Sequence, residues 1–175
     1  MNYNISYICQ GEKMETISSF QIDHLKLLRG LYLSKKYNID GMVMTVFDLR
    51  MRRPYKDDVM GTGAIHAIEH IVATFLRNDD DFGNRIVYFG PMGCRTGFYL
   101  IIVGDLMPQD VLELLIRAFD YVVNFEGDIP GATPQQCGYC YDMNLDEAKL
   151  ASNYYIKTLK DSKKENLNYP KNGAK

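Results

Sequence analysis

Three side chains on one short stretch could do chemistry together: His66, Glu69 and His70, in the run I-H-A-I-E-H. Around them Ile65, Ile68, Val72, Phe75 and Leu76 recur at three- and four-residue spacing, which predicts an amphipathic helix from Gly61 to Asn78. At about 100° per residue the three polar side chains fall on one face of that helix. Two imidazoles one turn apart can grip a single divalent ion through their ring nitrogens. A carboxylate beside them is then placed to move protons. The spacing is H-x-x-E-H, the reverse of H-E-x-x-H.

The cysteines Cys9, Cys94, Cys137 and Cys140 add thiol chemistry. Q-C-G-Y-C holds a C-x-x-C pair at Cys137 and Cys140, but nothing around it resembles the βαβ setting of a thioredoxin motif. Two readings stay open. In the first, both cysteines join His66 and His70 in a closed, four-ligand structural zinc site. In the second, one cysteine and the two histidines leave a fourth position for water or a substrate oxygen. Glu69 favours the second, because a non-ligating carboxylate beside a metal serves proton transfer. Cys94 lies in G-P-M-G-C, where backbone freedom lets a side chain project into a cleft. An isolated cysteine is otherwise most simply a small buried hydrophobe.

These residues have to be positioned by the elements between them. Ser18 to Asp23 alternates apolar and polar residues, as a half-buried strand does, and ends at His24. Lys26 to Asp40 is mixed and basic, with Gly30 and then N-I-D-G as turn signals. Met42 to Arg52 has strand composition, with Arg50 near its end, where a charge is by default solvated. A polar loop leads into the histidine helix, and N-D-D-D-F-G-N closes it. Arg85 to Phe89 and then R-T-G-F-Y-L-I-I-V-G read as two strands flanking the Cys94 turn. Pro108 opens a helix reaching about Phe125, a Gly- and Pro-rich loop delivers Cys137, and Asn144 to Leu159 reads as a last helix.

With 175 residues, 46% of them hydrophobic, the chain suits one domain that needs no disulfide staples. A net charge of -2 without a long basic run gives no footprint for nucleic acid. No apolar run approaches the ~20 residues of a membrane span, and no signal peptide is evident, so a cytoplasmic location is expected. Residues 1–13 are polar and aperiodic, and Gly11-Glu12-Lys13 must be encoded by a purine-rich stretch like a ribosome-binding site before Met14. They are read as an extension that a start at Met14 would omit, with a single domain over 14–161 and a solvated polar tail over 162–175.

Several motifs together resemble the LuxS family, S-ribosylhomocysteine lyase. They are S-F-x-x-D-H from Ser19, T-V-F-D-L-R from Thr45, I-H-x-x-E-H from Ile65, P-M-G-C-R-T-G-F-Y from Pro91 and Q-C-G from Gln136. The resemblance implies an α+β fold, an antiparallel sheet covered by helices, with the metal site on the H-x-x-E-H helix. It implies a homodimer whose metal sites lie near the subunit interface. Carried over, His66, His70 and Cys137 are the metal ligands, and Glu69 and Cys94 the general acid/base pair. Ser19, His24 and Arg50 contact substrate, supplied across the interface.

The implied reaction walks the ribose carbonyl of S-ribosylhomocysteine along the chain and then eliminates homocysteine. The other product is 4,5-dihydroxy-2,3-pentanedione, precursor of the autoinducer-2 signal. One divalent ion per subunit is implied, with Fe²⁺ the expected native ion and Zn²⁺ or Co²⁺ able to replace it. The chain departs from the family at Tyr88, Tyr55 and Asn144, and Cys140 is extra. Two other readings of the residues are an inverted-motif metallopeptidase, which gives Cys94 no task, and a non-catalytic zinc-stabilised regulator, which needs both Cys137 and Cys140 as ligands.

Overall fold

The computed structural model describes residues 22–170. Four strands, β1 (Gly30–Ile39), β2 (Met42–Arg50), β3 (Ile86–Pro91) and β4 (Gly97–Val103), form one antiparallel sheet in the order β1-β2-β4-β3. Three helices, α1 (Thr62–Arg77), α2 (Pro108–Val123) and α3 (Leu145–Lys160), pack on one another and on one face of the sheet. The expected α+β architecture is the one found, and α1 is the H-x-x-E-H helix.

Strand periodicity divides the side chains between two faces. Leu31, Phe47, Leu49, Phe98, Leu100 and Ile102 point into the helical layer and join Ile68, Ile71, Val72, Leu115, Phe119 and Val122 in one buried core. The stacked rings of Phe89 and Phe98, with centroids 5.0 Å apart, belong to the same layer. The opposite face carries Tyr32, Asp48 and Tyr99, which the register sets side by side across β1, β2 and β4.

Helix ends follow their local chemistry. Pro108 occupies the first turn of α2, where its missing N–H costs nothing, and the Asp110 carboxylate accepts from the Met107 N–H at 2.7 Å. The Asn144 side chain caps α3 by accepting from the Glu147 N–H at 3.0 Å. That contact gives the Asn144 departure a structural role.

Three expectations need correction or restriction. The stretch Lys26 to Asp40, read as mixed and basic, contains the ten-residue edge strand β1. Its outer half is exposed, and an irregularity between Leu33 and Lys35 breaks the alternation that would have marked it. Of the strand expected over Ser18 to Asp23, only Ile22 and Asp23 are among the described residues, and neither is in a strand. Ser19, Cys9 and the 1–13 extension lie outside the described residues.

Within the stretch expected as a polar tail, over 162–175, Asn166 and Tyr169 reach back to the sheet. The Asn166 amide donates to the Arg29 carbonyl at 2.8 Å, and the Tyr169 ring stacks on Tyr32 with centroids 4.8 Å apart. This approach requires Gly30: a Cβ there would stand 2.1 Å from the Asn166 carbonyl oxygen. The Tyr155 hydroxyl donates to the Gly30 carbonyl at 2.9 Å, tying α3 to the same point of β1.

Phe119 is fully buried and meets Tyr155 edge-to-face with centroids 4.9 Å apart. Phe119→Ala should therefore cost about 3–5 kcal/mol in urea unfolding. Tyr37→Ala, on the exposed end of β1, should change stability by no more than about 0.5 kcal/mol.

Candidate active site

His66 and His70 stand one turn apart on α1, their ring centroids 4.9 Å apart. The loop after α2 brings in the third donor. Gln136 and Cys137 both donate their backbone N–H to the Thr133 carbonyl, a tight turn that presents the Cys137 thiol 3.3 Å from His66 Nε2. One donor atom from each of the three residues lies within 4.8 Å of the others. Each imidazole is anchored behind by Nδ1: His70 donates to the Pro130 carbonyl at 2.7 Å, and His66 Nδ1 lies 2.8 Å from Asp142 Oδ1. A carbonyl only accepts, so the proton of neutral His70 sits on Nδ1 and its Nε2 lone pair is free.

The set of two imidazole nitrogens and one thiolate suits Zn²⁺, Fe²⁺ or Co²⁺, and three donors converging this closely fit such an ion. Among the described residues Cys140 is not part of the cluster; it is buried elsewhere. The C-x-x-C pair therefore splits, and the closed four-ligand reading lacks its fourth ligand. Glu69, half-buried, follows His66 by three positions on α1 and precedes His70.

A second cluster lies on the far face of the sheet, around a cleft of about 350 Å³ lined by His24, Asp48, Arg50, Cys94 and Tyr99 among others. Arg50 is only 3% exposed, so the expectation of a solvated charge is wrong. Its guanidinium donates to Asp48 Oδ2 and to Thr96 Oγ1, each at 2.6 Å, and lies 3.9 Å from Cys94 Sγ. The Tyr169 hydroxyl donates to Asp48 Oδ2 at 2.9 Å. His24 donates from Nδ1 to the Ile22 carbonyl at 2.9 Å, which leaves Nε2 free. Cys94 itself sits on a turn closed by the Arg95 N–H donating to Met92, with Arg95 at φ 58°.

Burial alone would raise the Cys94 thiol. The Thr96 hydroxyl at 3.1 Å, the Thr96 backbone and the Arg50 guanidinium outweigh it and hold the thiol below its ordinary range. Burial also pushes the Asp48 carboxyl upward, against Arg50 and Tyr169, which favour the carboxylate.

The structure thus brings His66, His70 and Cys137 together, with Glu69 on the same helix as the two histidines, and separately His24, Arg50 and Cys94. None of the first group lines the cleft of the second. Within one chain, the two members of the expected acid/base pair, Glu69 and Cys94, lie apart: Cys94 lines this cleft and Glu69 does not. Asp48 could have been found from sequence, since it lies two residues before Arg50 and shares its face in a strand. Thr96, Tyr169 and Asp142 carry no comparable signal.

If Thr96 and Arg50 lower the thiol, Thr96→Val removes a hydrogen bond at constant shape and should move the pH midpoint of Cys94 alkylation upward. Iodoacetamide labelling across pH, read by mass on the peptide that contains Cys94, checks the sign: a lowered thiol reacts at lower pH, and its loss delays reaction to higher pH.

The chain matches the family model described as S-Ribosylhomocysteinase (LuxS) over residues 17–166. A protein of Finegoldia magna named S-ribosylhomocysteine lyase is 50% identical over 157 residues, covering 90% of this chain and 99% of the relative. One of Clostridium beijerinckii with the same name is 49% identical over 158 residues, again covering 90% and 99%. One of Borreliella burgdorferi, also so named, is 47% identical over 157 residues and is covered along 100% of its length. Half the residues shared along the whole length of such relatives, together with the model match, place the chain in the LuxS family of S-ribosylhomocysteinases.

Proposed function

We propose that this lyase cleaves S-ribosylhomocysteine to homocysteine and 4,5-dihydroxy-2,3-pentanedione, the autoinducer-2 precursor, by carbonyl migration and β-elimination. The observation that carries the reading is the Cys94 thiol, held below its ordinary range by Thr96 and Arg50 in an open cleft. A metallopeptidase has no use for such a group, whereas a sugar isomerisation needs a base that takes a proton from carbon and returns it. The family membership and the names of the relatives point the same way.

His66, His70 and Cys137 would hold one divalent ion per subunit, Fe²⁺ as the native ion, with Zn²⁺ or Co²⁺ able to replace it. When bound, such an ion supplies Lewis acidity that makes the hydrogens beside a sugar carbonyl easier to remove. The proton chemistry falls to the chain. Cys94 as thiolate takes the proton from the carbon beside the carbonyl and returns it to the neighbouring carbon, moving the carbonyl by one position. Glu69 carries the matching proton between the hydroxyl oxygens. After the second shift, removal of the proton from the carbon between the carbonyl and the CH₂–S group expels homocysteine as thiolate, which a protonated side chain neutralises. Ser19, His24 and Arg50 would grip the substrate, with the Arg50 charge fixed by Asp48.

Because the two half-sites share no cleft in one chain, the working unit in this reading is a homodimer. One chain's His24–Arg50–Cys94 cleft then faces the partner's metal ligands and Glu69. Cys94 belongs with the substrate-binding set of its own chain. The catalytic domain runs from about Met14 and takes in the segment through Tyr169, which supports Asp48. A cytoplasmic location fits the absence, among the described residues, of any helix long and apolar enough to cross a membrane.

Purified protein given S-ribosylhomocysteine should release free thiol. Cys94→Ala should keep its metal yet lose about 10²–10⁴-fold in that rate. Metal lost along with activity would make Cys94 a ligand and overturn its role.

Mixed dimers test the shared site. Cys94→Ala and Glu69→Gln subunits, each inactive alone, should regain about a quarter of wild-type activity after random exchange, since half the dimers then hold one intact site of two. Cys94→Ala mixed with Arg50→Ala should regain none, because both changes strike the same half-site. The reverse pattern would remove the arrangement.

A further inference from the structure

The two histidines of the metal cluster are anchored unequally. His70 leans on a neutral backbone carbonyl, that of Pro130, at 2.7 Å. His66 instead has a carboxylate behind it, Asp142 Oδ1 at 2.8 Å from Nδ1. An ion pair this exposed, with the two side chains 22% and 39% accessible, is worth little to folding. Its position is nonetheless dictated by backbone contacts. The Asp142 carbonyl oxygen lies 2.1 Å from where a Cβ on Gly63 would stand, so only glycine in the first turn of α1 admits the loop. Two residues on, the Asn144 N–H donates to the Gly63 carbonyl at 3.0 Å, and the Asn144 side chain caps α3. The loop is thus clamped between two helix N-termini, and the clamp sets Asp142 directly behind His66.

We propose that Asp142 is a positioning residue for the metal centre: it holds His66 in the Nδ1-protonated tautomer with Nε2 turned toward Cys137, and strengthens it as a donor. This rests on the reading that His66, His70 and Cys137 bind a divalent ion. A carboxylate behind a ligating imidazole fixes the ring's orientation and leaves more electron density on the far nitrogen, and removing such a partner typically weakens metal binding by about 10–100-fold. The geometry matches that arrangement. The ring nitrogen not facing the carboxylate is the one 3.3 Å from the Cys137 sulfur. Asp142 itself is outside the three-donor cluster, so it acts through His66 and not as a ligand.

The test is Co²⁺ binding by the full chain, read by competition with a chromogenic chelator and by the thiolate-to-cobalt absorption band, so that turnover is not the readout. Asp142→Ala should bind Co²⁺ about 10–100-fold more weakly than wild type while the melting temperature of the metal-free protein stays unchanged. Asp142→Asn keeps an oxygen that can accept from Nδ1 but loses the charge, and should fall between the two. It also guards against a folding defect in the alanine variant. Wild-type affinity in Asp142→Ala overturns the proposal, since a mere surface ion pair would leave the ion untouched. A wild-type protein that takes up no Co²⁺ would instead sink the metal reading, and this inference with it.

Discussion

Asp48 and Arg50 lie on the far face of β2 and are almost wholly removed from water, at 1% and 3% exposure, with their nearest charged atoms 2.6 Å apart. Taking two charges out of water costs several kcal/mol each, and their attraction repays that only when the remaining hydrogen-bonding capacity is met. Here it is met in part. Thr96 accepts from Arg50 and Tyr169 donates to Asp48, while Asp48 Oδ1 and Arg50 Nε find no partner among the described residues. As a device for stability the pair is therefore poor. Its value lies in what it fixes: a guanidinium that cannot leave, 3.9 Å from the Cys94 sulfur. Around that point gather the β4 residue Tyr99, the Cys94 turn and the returning C-terminal segment.

The two-residue period of β2 makes this possible. Phe47 and Leu49 face the helical core, so Asp48 and Arg50 must face the other way, and a strand buried on both sides is what results. Tyr32, its neighbour across β1, is covered by Tyr169 at 4.8 Å. The helical layer supplies the stability that lets the far face carry charge. One element thus serves packing through its odd positions and chemistry through its even ones.

What could be read from sequence follows from how local each cause is. The helices α1, α2 and α3 and the strands β2, β3 and β4 announce themselves because their apolar residues repeat within a few positions. The candidate metal cluster was legible for the same reason, as two of its three donors are one turn apart. Choosing Cys137 over Cys140 needed the resemblance, since the turn at Thr133 that aims one thiol and not the other has no period. β1 was missed because it is an edge strand with an exposed, bulged outer half. Arg50 was read as solvated because its burial is completed by Tyr169, whose hydroxyl meets Asp48 across 121 positions of sequence. Asp142 was silent too: a carboxylate in a loop gains meaning only from the imidazole in front of it.

The separation of the two thiols has a chemical logic of its own. Cys137 belongs to the cluster with His66 and His70, while Cys94 lies against Arg50 in a cleft that none of those residues lines. A second thiolate within reach of the three donors would complete a tetrahedral set of two nitrogens and two sulfurs, the composition of closed structural zinc sites, with no position left for a substrate. A thiol lowered by a nearby cation is the one most inclined to bind in that way, because the ionised form is also the ligand. By mounting Cys94 on the sheet's far face, against Thr96 and Arg50, the fold holds a thiol lowered from its ordinary range apart from the three donors of its own chain. In the proposed reading, the group that works with that thiol is supplied by a second copy of the chain, and three protein donors leave a tetrahedral ion one further position.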